Sequence, residues 1–483
     1  MKNAKIPYYH QAIDWPEFVK KYPPPREFVE TIYTWDRNRI EKMQATRFVE
    51  AVSRAWKNPF YKEIWSQAGL VPGDIKSIAD IGKLPVVSSS DFKLAIEKSP
   101  PWGKHQGVDE QTIRSKPLKI QTSGGTTGKP RPTFHGPIEW EINGMSPARA
   151  LLIQGGAPGD LMQIPMTCYT GNAAWSYYYA CHAWLGMVPI TTGAGSVTPS
   201  RKQIDIAREW GTNIWLAGPY HVQLAQVAQD ELGFDVRDLK TKFLHGFLGS
   251  DQTGKFRAEL EEIWGCDVYD NYGTHEIGLP AFECREKCGM HFQEDLGYVE
   301  IVNPNSGDPV DMQAGEAGDL VYTSFYREHP PLIRYNLKDR VRIIDYGKKC
   351  ACGSYLLRRG PHEGRSDDMV KLRGTNVHPE SCQDAITNTS FTTGEYLCVV
   401  DTLRNSEGVY LSEEMTVKVE YQGPDSKTSD FKSSLEHRLK ADLGVRVAVE
   451  VVQAGSLASF TNVDGSEMKK RRLLDKRTTV SRS

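Results

Sequence analysis

The chain has 483 residues, with 59 basic and 61 acidic side chains and a formal net charge of −2. This balance gives no overall attraction to nucleic acid or to an anionic membrane. No apolar run reaches the roughly 18 residues that a membrane-spanning helix needs. Nine cysteines are too few for a disulfide-built secreted domain of this length. We therefore expect a cytoplasmic globular protein without nucleic-acid or membrane partners, in about three domain-sized units.

The hydrophobic pattern changes along the chain. Apolar residues at helical spacing predict a helix over 40–56. From about 110 to 330, apolar runs alternate with helical stretches, which predicts an α/β region with a largely parallel sheet. The runs are Asn213–Ala217 and Lys242–Leu248, and the helical stretches are 201–210, 221–231 and 254–264. After about 296, strands are predicted at Gly297–Val302, Asp319–Phe325 and Val341–Tyr346.

A stretch rich in Gly, Arg and Asp over 359–377 marks a predicted domain boundary. The residues after it predict a small α+β module. Its predicted helices are His378–Ile386 and 428–442, and its predicted strands lie near 395–401, 414–421 and 446–453.

The most informative segment is QTSGGTTGKP at 121–130. Glycines let backbone amides approach a phosphate, hydroxyls donate hydrogen bonds to it, and lysine supplies charge. The segment is not a Walker A loop, because Ser123 stands where the first Gly should be and Pro130 follows the Lys. On these residues alone, a phosphate-binding loop and a flexible surface turn are equally supported.

This segment resembles the phosphate loop of adenylate-forming enzymes, which include acyl-CoA synthetases, luciferases and peptide-synthetase adenylation domains. Four further motifs resemble that family in the same order, namely DNYGTHEIG at 270–278, PLIRYNLKDR at 331–340, GRSDDMVKLRG at 364–374 and EMKKRRLLD at 467–475. Together with HFQED at 291–295 and the Cys-x-Cys-Gly stretch, they resemble most the phenylacetate–CoA ligase branch.

The resemblance covers essentially the whole chain and implies the α/β fold of adenylate-forming enzymes. In that fold, a large N-terminal domain of β-sheets flanked by helices carries a β-subdomain, and a small mobile α+β domain follows. Here the large domain would span 1–365 and the lid domain 366–483.

The resemblance also implies how ATP is bound. Glu276 would bind the Mg²⁺ that bridges the phosphates, since a carboxylate beside a triphosphate needs a cation between them. Thr274 would contact the α-phosphate or the acyl carboxylate, Tyr272 would stack on adenine, and Asp339 would bind the ribose hydroxyls. The β- and γ-phosphates would be bound by Thr122, Ser123, Gly124, Gly125, Thr126, Thr127, Gly128 and Lys129. The adenine and ribose would be bound by Ser250, Asp251, Asn271, Tyr272, Gly273, Asp339 and Arg365.

The EMKKRRLLD motif would supply a lysine that bridges the carboxylate and α-phosphate oxygens. Alignment of its Arg-x-x-Asp places this role on Lys469. Lys470 is the alternative, because Met468 stands where family members usually carry glycine. A solvated basic tail is the alternative interpretation of this segment. In GRSDDMVKLRG, the hinge residue would be Asp367.

The segment MTCYTGNAAWSY at 166–177 matches in position the acid-binding region of the family. Tyr169, Ala174 and Trp175 would form walls of the acyl pocket, with Gly249 beside them. An aromatic lining suits an aryl ring by stacking. Ordinary core packing is the alternative for each of these aromatic residues.

Cysteines occur in two short-spaced pairs. Cys284-x3-Cys288 is followed by His291, and Cys350-x-Cys352 lies about sixty residues on. Such pairs are typical of a structural zinc site, and free thiols or a redox pair are the alternatives. The resemblance implies the ligands Cys284, His291, Cys350 and Cys352, with Cys288 as the alternative fourth ligand.

These features together predict an aryl or arylacetic acid–CoA ligase that is AMP-forming and works through an acyl-adenylate. The resemblance implies ATP, Mg²⁺, coenzyme A and structural Zn²⁺ as its cofactors and a homodimer as its assembly. Transfer of the acyl group to a carrier protein or an amine is the nearest alternative. A zinc-stapled nucleic-acid-binding protein is an alternative from another class, and the charge of −2 counts against it. A non-catalytic relative is the third alternative, supported only by Met468.

Overall fold

The computed structural model describes residues 6–123, 131–249, 251, 253–304, 306–366, 369–373, 375–404, 410–458 and 472–477. The chain divides into two compact units. Unit 1 comprises Met1–Ser123 and Pro132–Gly364, and unit 2 comprises Gly124–Arg131 and Arg365–Ser483. Each unit has its own hydrophobic core.

The first part of unit 1 is mainly helical. Asp14, Asp36 and Asn58 each accept a backbone N–H in the first turn of a helix, and this capping fixes where those helices begin. The helix that Asp36 caps, Arg37–Ala55, confirms the prediction over 40–56. The elements are α1 Trp15–Lys21, α2 Pro25–Glu30, α3 Arg37–Ala55, α4 Pro59–Gln67, β1 Val87–Ser88, α5 Ser89–Lys98 and α6 Glu110–Ile113.

The middle of unit 1 alternates strands with helices, as predicted. A separate hairpin is formed by β2 Lys119–Ser123 and β3 Arg131–His135. Five strands then pair in parallel in the order β5-β4-β6-β7-β8. The elements are α7 Pro137–Gln154, β4 Leu161–Gln163, α8 Ala173–Tyr179, β5 Val188–Ile190, α9 Ser200–Trp210, β6 Ile214–Ala217, α10 Tyr220–Leu232, β7 Phe243–Gly246, α11 Lys255–Trp264 and β8 Asp267–Thr274.

Beyond β8 the same sheet continues with mostly antiparallel pairing. Its order is β8-β9-β10-β15-β14-β13-β11-β12, with β1 added in parallel to β14. The three strands predicted after residue 296 are confirmed, and the last of them is part of a longer strand. The elements are β9 Gly278–Glu283, β10 Met290–Phe292, β11 Gly297–Val302, β12 Pro309–Val310, β13 Ala317–Ser324, β14 Tyr335–Asp345 and β15 Arg358–Arg359.

Helix α7 is buried over most of its length, although it contains Pro147 and two acidic residues. The Glu139 carboxylate accepts the backbone N–H groups of Gly136, Glu328 and His329, so its charge is satisfied by hydrogen bonds. The sequence pattern did not predict this helix, because its polar positions are paired inside the protein rather than facing water. No helix within the described ranges is long and apolar enough to cross a membrane.

Unit 2 carries a four-stranded sheet in the order β20-β19-β18-β21, and its helices pack on a core of buried aliphatic residues. The two predicted helices and three predicted strands of this module are confirmed. The first helix, however, starts as a 3₁₀ turn at Pro379–Cys382. The elements are β16 Val370–Leu372, β17 Thr375–Val377, α12 Gln383–Thr387, β18 Thr392–Arg404, β19 Tyr410–Tyr421, α13 Thr428–Leu443, β20 Ala448–Gln453 and β21 Leu473–Asp475.

A fully buried ion pair joins α7 to the turn that follows β10. Nη1 of Arg149 lies 3.1 and 3.0 Å from the two carboxylate oxygens of Asp295, and both side chains are 0% exposed. The same guanidinium donates to the carbonyl of Pro23 through Nε and Nη2, at 3.1 and 2.6 Å. This arginine therefore also ties the N-terminal segment to the core.

Replacing Arg149 with methionine is expected to lower the free energy of unfolding of unit 1 by about 3–5 kcal/mol, because the Asp295 carboxylate would stay buried without its partner. Urea unfolding of the two proteins measures the change. The matched control is Arg114→Met, since the Arg114–Glu110 pair is 64% and 81% exposed and contributes about 1 kcal/mol or less. Equal losses in the two variants would contradict this account.

Candidate active site

The strand β2 brings the start of the glycine-threonine loop beside the segment predicted to bind the acid. The backbone N–H of Thr122 donates to the carbonyl of Thr170 at 2.8 Å, and the two threonine hydroxyls are 2.8 Å apart. The amide of Gln121 donates to the carbonyl of Gly171 at 3.3 Å. The side chain of Ser123 and residues Gly124–Lys129 lie outside the described residues.

The hairpin of β8 and β9 carries the predicted nucleotide and magnesium residues. A Cβ at Gly273 would lie 2.7 Å from the carbonyl oxygen of Gly278, so only glycine fits where these strands approach. The hydroxyl oxygen of Thr274 is buried and has no hydrogen-bond partner among the described residues. Glu276 follows in the turn and is half-buried. A buried hydroxyl without a partner is a group that a ligand can satisfy.

Two residues predicted to contact the nucleoside meet directly. The Tyr272 hydroxyl donates to Oδ2 of Asp339 at 2.5 Å, which links β8 to β14. The guanidinium of Arg359 lies over the Tyr272 ring, 4.3 Å from its centroid. The sequence analysis missed Arg359, which is fully buried and whose Nη1 and Nη2 have no partner in the described part of the chain. This group therefore offers unused donors beside Asp339.

The side chain of Asn271 is engaged inside the unit. Its amide nitrogen donates to the carbonyls of Gly246 and Tyr269, both at 3.0 Å, and its oxygen accepts from Gln154 at 3.0 Å. Both amide hydrogens of Asn271 and its backbone N–H, which donates to Asp270 at 2.9 Å, are therefore engaged inside the unit, and its amide oxygen keeps one acceptor position for the predicted contact with the nucleotide.

The hydrogen bonds continue from Gln154 to α8. Gln154 accepts from Nδ1 of His245 at 2.6 Å, and Nε2 of His245 accepts from the Tyr177 hydroxyl at 2.7 Å. Burial lowers the pKa of His245 to about 3, so the ring is neutral, and burial raises the pKa of Tyr177. An uncharged network thus joins the β8 hairpin to the helix that carries Trp175.

The loop after β7 lies at the carboxyl end of the parallel strands, where ligands bind in sheets of this kind. Gly249 has a φ of +68°, which favours glycine. The Asp251 carboxylate accepts the backbone N–H groups of Phe256 and Arg257 at 3.3 and 2.9 Å, so it fixes the start of α11. Ser250 lies outside the described residues.

The carboxyl group of Asp270 holds the same loop from β8, accepting from the backbone N–H of Leu248 at 3.0 Å. Burial, reinforced by the nearby Glu283 charge, raises its pKa to about 7. The sequence motif that begins at Asp270 predicts no role for this residue.

The predicted acyl-pocket residues differ in exposure. Tyr169 is 59% exposed, whereas Ala174 is buried in the core beneath the parallel strands. The indole N–H of Trp175 donates to the carbonyl of Tyr169 at 2.7 Å. Ala174 therefore faces a packed interior, whereas Tyr169, Trp175 and Gly249 have surface open to a ligand.

The predicted ribose-binding arginine, the predicted hinge residue and the candidate catalytic lysines belong to unit 2. Arg365 is half-buried at the first residue of its second segment. The hinge residue Asp367 and the candidate lysines Lys469 and Lys470 lie outside the described residues.

Four predicted metal ligands of unit 1 converge on one point. Ligand atoms of Cys284, His291, Cys350 and Cys352 all lie within 4.8 Å of one another. The Sγ atoms of Cys284 and Cys350 are 4.0 Å apart, and Sγ of Cys352 is 3.6 Å from Nε2 of His291. Tetrahedral zinc requires about 3.8 Å between two sulfurs and about 3.6 Å between sulfur and nitrogen. The residues therefore fit zinc with four protein ligands and no open position.

The surroundings of the cluster distinguish its two candidate fourth ligands. The Tyr33 hydroxyl donates to Sγ of Cys352 at 3.0 Å. Hydrogen bonds from Cys284, His291 and Tyr33 lower the pKa of Cys352, so its thiolate is favoured. Cys288 lies to one side, where its Sγ accepts from Arg358 at 3.0 Å and is 3.3 Å from Sγ of Cys350. This arrangement favours His291 over Cys288 as the fourth zinc ligand.

Comparisons with known proteins agree with the geometry. Residues 374–477 match the family described as AMP-binding enzyme C-terminal domain. A phenylacetate-coenzyme A ligase of Aromatoleum evansii is 26% identical over 448 residues, 91% of this chain and 96% of that protein. One of Escherichia coli (strain K12) is 28% identical over 467 residues, 94% of this chain and 98% of that protein. A solved 2-hydroxyisobutyryl-CoA ligase, in complex with 2-HIB-AMP and CoA, is 25% identical with a TM-score of 0.81, covering 93% of this chain and 92% of that one. The chain is therefore similar over about nine-tenths of its length to phenylacetate–CoA ligases, and it shares the fold of an acyl-CoA ligase of the adenylate-forming type.

Proposed function

We propose that the protein is an AMP-forming acid–CoA ligase acting on an aryl or arylacetic acid. It would convert the acid, ATP and CoA into acyl-CoA, AMP and pyrophosphate. The observation that carries the proposal is the β8–β9 hairpin, which carries Glu276, a buried Thr274 hydroxyl without a partner among the described residues, and Tyr272, whose hydroxyl donates to Asp339 on β14. The likeness to CoA ligases over about nine-tenths of the chain supports the same reaction.

In the first step a carboxylate oxygen of the acid attacks the α-phosphorus of ATP, and pyrophosphate leaves. The Thr274 hydroxyl would donate to an oxygen of the reacting group, which satisfies its buried atom. The loop over 122–129 and Lys469 would donate to the phosphate oxygens. Mg²⁺ bound by Glu276 would neutralise the phosphate charge.

Nucleoside binding would use the groups around Tyr272. Asp339 would accept from the ribose hydroxyls. The Nη donors of Arg359, which have no partner among the residues described, would face ribose or phosphate oxygens. One face of the Tyr272 ring already carries the Arg359 guanidinium. Stacking on adenine would therefore use the other face or the ring edge.

Asp339→Asn is expected to raise the KM for ATP about 10- to 100-fold, because a hydrogen bond to a charged carboxylate contributes about 1.5–3 kcal/mol. Initial rates at varied ATP measure this effect. The control is Asp238→Asn, which changes an exposed carboxylate outside the hairpin. A fall in kcat with an unchanged KM would contradict ribose binding by Asp339.

In the second step the CoA thiolate attacks the carbonyl carbon of the acyl-adenylate, and AMP leaves. We propose that a backbone rotation at Asp367 withdraws Lys469 between the two steps. Thioester formation then needs neither this lysine nor magnesium bound to pyrophosphate.

A homodimer and a cytoplasmic location stay predictions.

We also propose a structural Zn²⁺ held by Cys284, His291, Cys350 and Cys352. Its role would be to join the segment after β9 to the loop between β14 and β15, which brings β15 into the sheet beside β10. Tyr33, which donates to Cys352, would extend this connection to the N-terminal helices.

The proposal is tested by measuring acid-dependent release of pyrophosphate from ATP, with and without CoA, over a panel of aryl acids. We expect pyrophosphate release that requires an acid and continues to acyl-CoA when CoA is present. No release with any acid would contradict an adenylating enzyme. AMP formation that CoA leaves unchanged would instead favour transfer to a carrier-protein thiol or an amine.

A further inference from the structure

A lysine lies in an aromatic site beside the predicted acyl pocket, and nothing above gives it a role. Nζ of Lys119, on β2, is 3.5 Å from the ring centroid of Trp140 and 4.5 Å from that of Trp175. Trp140 belongs to α7 and Trp175 to α8, so three elements of unit 1 enclose this ammonium group. Within the described ranges, no carboxylate lies within ion-pair distance of it.

The positive charge of the Lys119 ammonium group is only weakly compensated by the described residues around it. A half-buried ammonium loses part of its hydration, and its contacts with two aromatic faces compensate for only part of the lost hydration free energy. Accordingly, burial lowers the pKa of Lys119 to about 8. Among the described residues, the Cys168 thiol is the acidic group that acts on this ammonium, and burial raises its own pKa. The Lys119 ammonium group therefore has no strong counter-charge in the described part of the chain.

Further unsatisfied polar atoms border the same site. His135 is fully buried, its ring meets the Trp140 ring edge-on at 6.2 Å, and its Nε2 has no partner among the described residues. Its Nδ1 faces Arg327 at 3.0 Å, and burial together with the charges of Arg327, His275 and Lys119 lowers its pKa. On β2, Oε1 of Gln121 is also buried and has no partner in the ranges that the structure describes. Lys119 and Gln121 point to the same face of this strand, because side chains two residues apart do so.

Lys119 lies where we expect the end of a bound acid that is opposite its reacting carboxylate. Lys119 precedes Thr122, the first residue of the phosphate loop, by three positions, which is about 10 Å along a strand. A carboxylate reacting beside that loop would leave the opposite end of an aromatic acid near the ammonium. The two tryptophan rings supply flat apolar surface next to it.

We propose that Lys119, enclosed by Trp140 and Trp175, binds a second carboxylate at the far end of the acid, and that the substrates are aromatic dicarboxylic acids. This inference rests on the ligase function proposed above. It narrows the acid from an aryl acid in general to one with two anionic ends.

The test compares terephthalate with 4-nitrobenzoate, since a nitro group has the shape of a carboxylate without its net charge. The wild-type protein is expected to show a kcat/KM for pyrophosphate release about tenfold or more higher for terephthalate. Lys119→Met is expected to lower this ratio at least tenfold, and Lys119→Arg to keep most of it. Lys116→Met is the matched control, because that lysine is exposed and pairs with Glu328, and it should leave the ratio unchanged.

Calorimetric binding of the two acids separates this inference from the proposed function. If terephthalate binds more tightly and Lys119→Met abolishes the difference, but no acid releases pyrophosphate, the inference stands and the ligase function fails. If both acids react equally in the wild type, or if Lys119→Met lowers both values of kcat/KM by the same factor while circular dichroism shows a folded protein, the inference is wrong.

Discussion

Lys469→Ala is expected to lower the rate of acyl-adenylate formation by more than about a hundredfold. The lysine is the proposed donor to the charge that develops between the attacking carboxylate and the α-phosphate, and loss of one such donor costs about 10²–10³ in rate. Thioester formation from supplied acyl-adenylate should be largely spared, because the lysine is proposed to leave before that step. Single-turnover measurements of each half-reaction give the two rates.

The neighbouring residue provides the control. Lys470→Ala has the same change of charge and size one position away, and it should leave adenylation close to the wild-type rate. If Lys470→Ala abolishes adenylation and Lys469→Ala does not, the alignment of Arg-x-x-Asp is displaced by one residue. If both variants lose both half-reactions equally, the proposed division of labour between the steps is wrong.

Cys284→Ser is expected to lower the free energy of unfolding of unit 1 by more than about 4 kcal/mol. Loss of a bound metal is one of the few single changes with so large an effect. Zinc binding would hold together segments that are far apart in the chain, and without it the variant would leave two sulfurs and an imidazole close together with no metal between them. Urea unfolding gives the stability, and elemental analysis of the purified protein gives the metal content, expected to be one zinc per chain.

Three variants make this prediction specific. Cys266→Ser changes a thiol outside the cluster and should cost about 1 kcal/mol or less. His291→Ala should lose zinc, whereas Cys288→Ser should retain it, since the Cys288 sulfur is engaged with Arg358. Purified protein without any bound metal would contradict the zinc proposal, and loss of zinc from Cys288→Ser alone would make Cys288 the fourth ligand.

The fold could be predicted where local pattern and burial agree. The strands β6 and β7 are apolar runs between amphipathic helices, and both were predicted within two residues of their observed ends. Helix α7 could not be predicted in this way. Its buried Glu139 and Arg149 are satisfied by partners more than a hundred residues away, and no local spacing indicates such pairs.

The residues of the candidate site likewise divide into those that the sequence predicts and those that only the structure reveals. Tyr272, Thr274 and Asp339 were predicted because they belong to motifs, and the structure brings Tyr272 and Asp339 into contact. Arg359 and Trp140 lie outside those motifs, so only the three-dimensional structure brings them to the site. Lys119 precedes the phosphate loop, yet its sequence gives no sign that two tryptophan rings enclose it.

The most direct test of the account follows an oxygen atom from the acid. With a carboxylate labelled with ¹⁸O in both positions, attack on the α-phosphorus followed by attack of CoA on the carbonyl carbon transfers one labelled oxygen to AMP. Mass spectrometry of the products after acyl-CoA formation is therefore predicted to find AMP carrying one ¹⁸O and pyrophosphate carrying none. Unlabelled AMP, or label in pyrophosphate or inorganic phosphate, would contradict an acyl-adenylate and with it the proposed function.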